Sequence, residues 1–349
     1  MMRHFLMLLV LLSSLSYKGY SQQYLSGKFL EQINQAELAI VNNQAERAYK
    51  IYKKFSLKQL KLNDLNNFYL LALQKKEIEM GVQIASEIAQ RGVGSAYFKK
   101  SMFIPIKASR AFQEHIENAD KCRALMTAKT KSFTDAIDSL YKVDQVIAVG
   151  RTARYQGKEI PLFILDSFDT NTAYLLGLLK EKGFASEGNI APELYQDSIC
   201  YFKNNYLLIV VHCLQVSQND SLKSECRALM TKALIERKIS APDFFFVQGF
   251  GNLLIPESLG EEYFVYDPLA KKLWQSKYLD AEKLKSVNKT RALYSIPSIH
   301  KDALKIKFRY SKPEYAFDTT IKTAFLSEKE AADLEEFQEM YFETNEFPK

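Results

Sequence analysis

From residue 24 to residue 90 the apolar residues return at steps of three and four. Leu25, Phe29, Ile33, Ala36 and Ile40 form one such set, and Ala45, Ala48, Tyr49, Ile51 and Tyr52 a second. Phe68, Leu71 and Ala72 form a third, and Ile78, Val82, Ala85, Ile88 and Ala89 a fourth. This spacing lines one face of a helix, whereas a half-buried strand would alternate. Asn42 and Asn43 end the first helix, Asn63 or Asp64 caps the third, and Gly92 suits the position just past the fourth. Short helices joined by short turns predict two αα-hairpins.

Ala48, Tyr49 and Tyr52 overlay Ile84, Ala85 and Ile88 at a shift of 36 residues, close to the tetratricopeptide period of about 34. The segment resembles tetratricopeptide-like hairpins, without their characteristic Trp and inter-repeat Pro. The resemblance implies a concave face for a partner. The alternative is a helical cap packed on the domain that follows.

A chain of 349 residues suggests two domains. Residues 1–21 read as a secretory signal: Arg3 supplies the positive start, Phe5 to Leu15 the apolar core, and Gly19 and Ser21 the small residues before a cut at Gln22. The expected order is then a hairpin module at 22–110, an α-rich domain with a short β-hairpin at 111–326, and an acidic helix or tail at 327–349. The fold class is mainly α with a small β element. No later apolar run reaches about 18 residues, so no membrane span is expected once the signal is removed. Export to the periplasm or beyond is the expected location.

Charge separates these parts. Residues 22–110 carry 14 Lys/Arg against 7 Asp/Glu, and 327–349 carry eight acids and two lysines. An exported basic module rarely meets nucleic acid, so its expected partner is a protein or an anionic envelope polymer. Four cysteines, Cys122, Cys200, Cys213 and Cys226, leave zero, one or two disulfides open. The run from Cys122 to Thr127 recurs at Cys226 to Thr231, but the flanks differ and no repeat is read from it.

In the second domain, Phe133 to Gln145 reads as a helix, followed by a turn with Gly157 and Pro161. Asp169 or Thr170 caps a helix from Asn171 to Lys182, which Gly183 ends. Tyr206 to Leu214 is the most apolar stretch beyond the signal, and periodicity leaves helix and strand open there. Residues 222–237 form a helix, Tyr263 to Tyr266 a strand, and Asp267-Pro268 the turn after it. Asp280 opens a short helix, and Glu328 to Tyr341 is a charged terminal helix.

From about 133 to 305 the order Asp144-Gln145, Asp169 with Asn171, Gly183-Phe184, Leu208 to His212, Gln248 near Gly251, and Asn288 to Arg291 resembles a bacterial domain family of unknown function. The resemblance implies that Tyr206 to Leu214 is helical and marks those polar residues as suspects. The chain departs from the family's pattern at Ala185, at Asp243-Phe244 and across Gln248 to Asn252.

His212 is the sharpest of the suspects. An imidazole at the end of an apolar run serves as a general base when a carboxylate orients its other nitrogen. Asp144, Asp169 or Asp243 supplies that carboxylate, and the catalytic candidates are His212, Asp144 and Asp169. Asn171, Gln248 and Arg291 are the substrate-binding candidates. The bland alternatives are a hydrogen-bonded core histidine and an Arg291 paired with a structural Asp, for which Asp144 is the obvious choice. Cys213 follows His212 directly, and adjacent helical residues diverge by about 100°, so the two do not face each other. No metal is expected, because the three histidines beyond the signal, His115, His212 and His300, are widely spread and no zinc motif occurs. No phosphate-cradling glycine loop and no Gly-x-Ser-x-Gly motif occurs, so no cofactor is expected. The leading functional expectation is an exported interaction or scaffold protein. The rival is a hydrolase with His212 as base.

Overall fold

The structure is a computed structural model that describes residues 28–154, 162–187, 189–195, 198–200, 205–241, 243–244, 247, 264–267, 272–276, 281–317, 319, 323–325 and 341–343. The chain is mainly α with a small β element. Four helices come first: α1 (28–41), α2 (Ala45–Tyr52), α3 (Leu62–Gln74) and α4 (Ile78–Gln90). Two 3-10 turns, Ser95–Lys99 and Ser101–Ile106, lead into the long α5 (Arg110–Arg154). Then come α6 (Leu162–Lys182), a hairpin of β1 (Glu193–Tyr195) and β2 (Ser198–Cys200), α7 (Tyr206–Val216) and α8 (Asp220–Ile235). After β3 (Phe264–Asp267) and β4 (Lys272–Ser276) come α9 (Ala281–Leu293) and α10 (Ile299–Ser311). Strands β5 (Thr323–Phe325) and β6 (Tyr341–Glu343) complete a small sheet ordered β5-β3-β4-β6, in which only β3 and β5 run parallel.

Two apolar cores organise the helices. The first is aromatic: Tyr52, Phe68, Tyr69, Tyr97, Phe98, Phe103 and Phe112 are all buried in it, with Phe98 and Phe103 ring centroids 5.1 Å apart. The second joins α5 to α8 through Ile137, Leu175, Tyr206, Val210, Cys213, Cys226 and Met230, and receives Ile299 and Ile306 from α10. Helix α5 serves both, with Phe112 and Ala119 in the first core and Phe133 and Ile137 in the second. The boundary expected at 110/111 thus falls where this shared helix begins.

The hairpin module packs against the later chain. Asn67 donates to the Ala316 carbonyl at 2.6 Å and accepts from the Ala316 amide at 2.9 Å. Asn66 donates to the Glu314 carbonyl at 2.8 Å. Arg237 pairs with Asp64 at 2.9 Å, and the Leu62 amide donates to Glu187 at 2.6 Å. Lys305 pairs with Glu37, both buried. This is the arrangement of a helical cap on a downstream domain.

Four sequence expectations need correction. Lys61 takes the N-cap position of α3, and Asp64 sits in the first turn, where its carboxylate accepts from the Lys61 amide at 2.9 Å. Helix α6 starts at Leu162, so Asp169 and Thr170 lie inside it and cap nothing. Phe168 is buried there against Val216, and the Thr172 hydroxyl donates to the Phe168 carbonyl one turn back, so the backbone is already helical. The helix read from Phe133 to Gln145 is a part of the much longer α5. Tyr341, read as the last residue of a terminal helix, lies in β6, and the rest of that segment is outside the described residues. The signal, the Gly157 and Pro161 turn, Pro268 and Asp280 are outside them too.

Candidate functional site

Helix α7 is apolar on most of its surface: Tyr206, Leu207, Ile209, Val210, Val211, Cys213, Leu214 and Val216 are all buried, and Leu208, His212 and Gln215 form its one less-buried stripe. A helix of that kind is a core helix, and packing against α5, α6 and α8 overrides the β-branched residues' preference for strands. His212 is its one ionisable side chain at the edge of the core, with 19% of its side chain exposed. Its Nδ1 lies 2.7 Å from Oδ2 of Asp144 on α5, whose side chain is fully buried. With Asp144 ionised, Nδ1 carries the proton and Nε2 is left as the acceptor. Gln145 donates to the same Asp144 oxygen at 3.0 Å. The other oxygen, Oδ1, is buried and has no hydrogen-bond partner among the described residues. Phe168 meets the imidazole edge-on with centroids 5.5 Å apart.

The remaining candidates divide. Asn171 is buried and donates to the Leu140 carbonyl at 3.0 Å, one turn before Asp144, which fixes α6 against α5. Asp169 follows Phe168 on α6, and its buried Oδ1 has no hydrogen-bond partner among the described residues. Arg291 is fully buried, and its partner is Asp302, at 2.5 Å, rather than Asp144. It also donates to the Pro297 carbonyl at 2.5 Å. Burial lowers its pKa, and Asp302 opposes that shift. Asp243 accepts from the Ser240 hydroxyl at 2.7 Å. Gln248 lies outside the described residues. His212 and Asp144 are therefore in direct contact, and Arg291 belongs to a different, fully buried cluster with Asp302.

A second feature was not read from the sequence. A groove of about 700 Å³ runs between α3, the two 3-10 turns and the end of α10. Tyr97, Met102, Tyr315 and Phe317 give it apolar surface, while Lys100 and Arg309 bring two cations against the single acid Glu314. Lys100 Nζ stands 4.3 Å above the Tyr97 ring centroid. The Tyr97 hydroxyl donates to Asn66 at 2.8 Å, and burial raises its pKa. Arg309 makes no hydrogen bond or ion pair among the described residues. Lys100 and Arg309 are too far apart in sequence for any spacing rule to join them. The one signal that pointed this way was the basic excess of 22–110.

Among the described residues no group of three or more His, Cys, Asp or Glu side chains is placed to hold a metal ion. Among them, too, no helix is long and apolar enough to cross a membrane. No family model, no curated protein and no solved structure matches the chain.

Proposed function

We propose that this is an exported interaction protein whose hairpin module, together with the end of α10, holds an acidic, aromatic-bearing segment of a partner protein. The groove carries this reading. Its volume lies in the range of ligand sites, about 300–1,000 Å³, and it pairs aromatic surface with two cations, one of them free of any protein partner among the described residues. A guanidinium of this kind binds a carboxylate through two parallel hydrogen bonds. The test is fluorescence anisotropy with a labelled synthetic peptide of alternating glutamates and phenylalanines. Binding that weakens with salt, and at least about tenfold in the Arg309→Glu variant, is the expected result. Equal binding by wild type and Arg309→Glu, or none at low salt, overturns the reading.

A second reading is a hydrolase, and the 2.7 Å contact between His212 and Asp144 favours it. Here His212 Nε2 removes a proton from an attacking water or hydroxyl, and Asp144 holds the ring and balances the imidazolium. Assay of nitrophenyl esters and phosphates tests it. Turnover lost in a folded His212→Gln variant supports this reading, and turnover unchanged in that variant removes it.

A further inference from the structure

Helices α7 and α8 bring two thiols together inside the second core. Cys213 and Cys226 have no exposed surface, and both are free thiols. Both lie in one apolar core, on helices that pack directly against each other, and each thiol shifts the titration of the other. The chain reverses between them over residues 217–219, where Asn219 caps α8 by accepting from the Leu222 amide at 3.0 Å. The two sulfurs thus sit on neighbouring helices joined by a tight, capped turn. Packed helix axes about 8–10 Å apart bring facing Cα atoms within the roughly 7 Å that a disulfide can span. Cys122, on α5, is a free thiol that is partly exposed, and it is not part of this contact.

We propose that Cys213 and Cys226 are a modification site: an intrachain disulfide that closes when the chain folds in an oxidising compartment. The oxidant is a small-molecule or protein disulfide, for which oxidised glutathione is the probe. The Cys213 thiolate attacks one glutathione sulfur. The glutathione S–S bond breaks, and one glutathione leaves as a thiolate that takes up the proton Cys213 released. Cys226, losing its own proton, then attacks the Cys213 sulfur of the mixed disulfide, and the second glutathione leaves and takes that proton. Two cysteine thiols and one disulfide become one protein disulfide and two glutathione thiols.

The surroundings favour this order of attack. The neighbouring Cys226 thiol lowers the pKa of Cys213, whereas the same contact raises that of Cys226. Both sulfurs are closed off in the folded core, so the exchange takes place as the helices dock or during local opening. Once formed, the bond ties the end of α7 to α8 one residue beyond His212.

The test refolds the full chain in reduced and oxidised glutathione. The product is then denatured, alkylated and digested with trypsin. Cleavage after Lys223 separates the two cysteines in sequence, so their peptides stay joined only through sulfur. Expected are a 213–226 linked pair lighter by two hydrogens and two alkylated cysteines in place of four. A melting temperature roughly 5–10 °C above that of the reduced chain is also expected. Cys226→Ser loses both the link and the shift. Alkylation of all four cysteines, a bridge through Cys122 or Cys200, or an unchanged melting temperature overturns the proposal. None of these outcomes depends on the groove.

Discussion

At the scale of single residues, the buried charges of this protein are held by specific partners. Arg291 and Asp302 pair at 2.5 Å with no exposure on either side, and Lys305 lies 3.8 Å from the other Asp302 oxygen while pairing with Glu37. Removing one member of such a set leaves buried charge uncompensated. Asp302→Ala is expected to cost about 3–5 kcal/mol by urea unfolding. Glu187 shows the opposite balance. Burial pushes its carboxyl up to about 7, although Lys61, the Leu62 amide and Arg91 pull it down. Between the ordinary value of 4.5 and about 7 the native state keeps a proton that the unfolded chain has lost. Stability therefore falls as pH rises through that window. Unfolding at pH 4.5, 6 and 8 should show this decline in the wild type and a flatter profile in Glu187→Gln. His212 and Asp144 were legible at this scale because a lone imidazole in an apolar run needs a partner. The partner of Arg291 was not, because Asp302 lies on a helix whose packing no local pattern reveals.

At the scale of elements, the helix ends follow their punctuation where the backbone itself demands it. Gly92 closes α4 at φ +83°, a conformation that a side chain adopts only at a cost. A Cβ there would also lie 3.3 Å from Met126 Cβ on α5. Gly92→Ala is expected to lower stability by about 1–2 kcal/mol, measured by thermal melting. Gly183 plays the same part after α6, at φ +80°. These stops, the four faces of the hairpins and the strand at Phe264 were legible because each is set by local chemistry. The start of α6 was not. Asp169-Thr170 has the composition of a cap, but the burial of Phe168 carries the helix through it. Helix α7 was ambiguous for a related reason: an element buried on almost every side, with only Leu208, His212 and Gln215 less enclosed, carries little periodicity. The repeated Cys-Arg-Ala-Leu-Met-Thr makes the same point. Its first copy leaves Cys122 partly exposed on α5, and its second buries Cys226 in a core, so tertiary context decides the environment.

At the scale of the whole molecule, the two cores are tied together. Tyr315 and Phe317, from beyond α10, complete the aromatic core of the hairpin module. Asn67 grips the backbone of the residue between them, and α5 runs through both cores. A fragment of residues 22–110 lacks Phe112, Tyr315 and Phe317, so it should fail to unfold cooperatively, whereas the full chain should show one transition by circular dichroism. The same tie builds the groove, since its walls come from both ends of the chain. Of the two groove cations, Lys100 comes from the N-terminal module and Arg309 from α10. Hydrogen exchange of the full chain with and without the glutamate and phenylalanine peptide tests the groove's binding role most directly. The account predicts slowed exchange in residues 95–102 and 309–317. Protection confined to the helices around His212, or none anywhere, would contradict it.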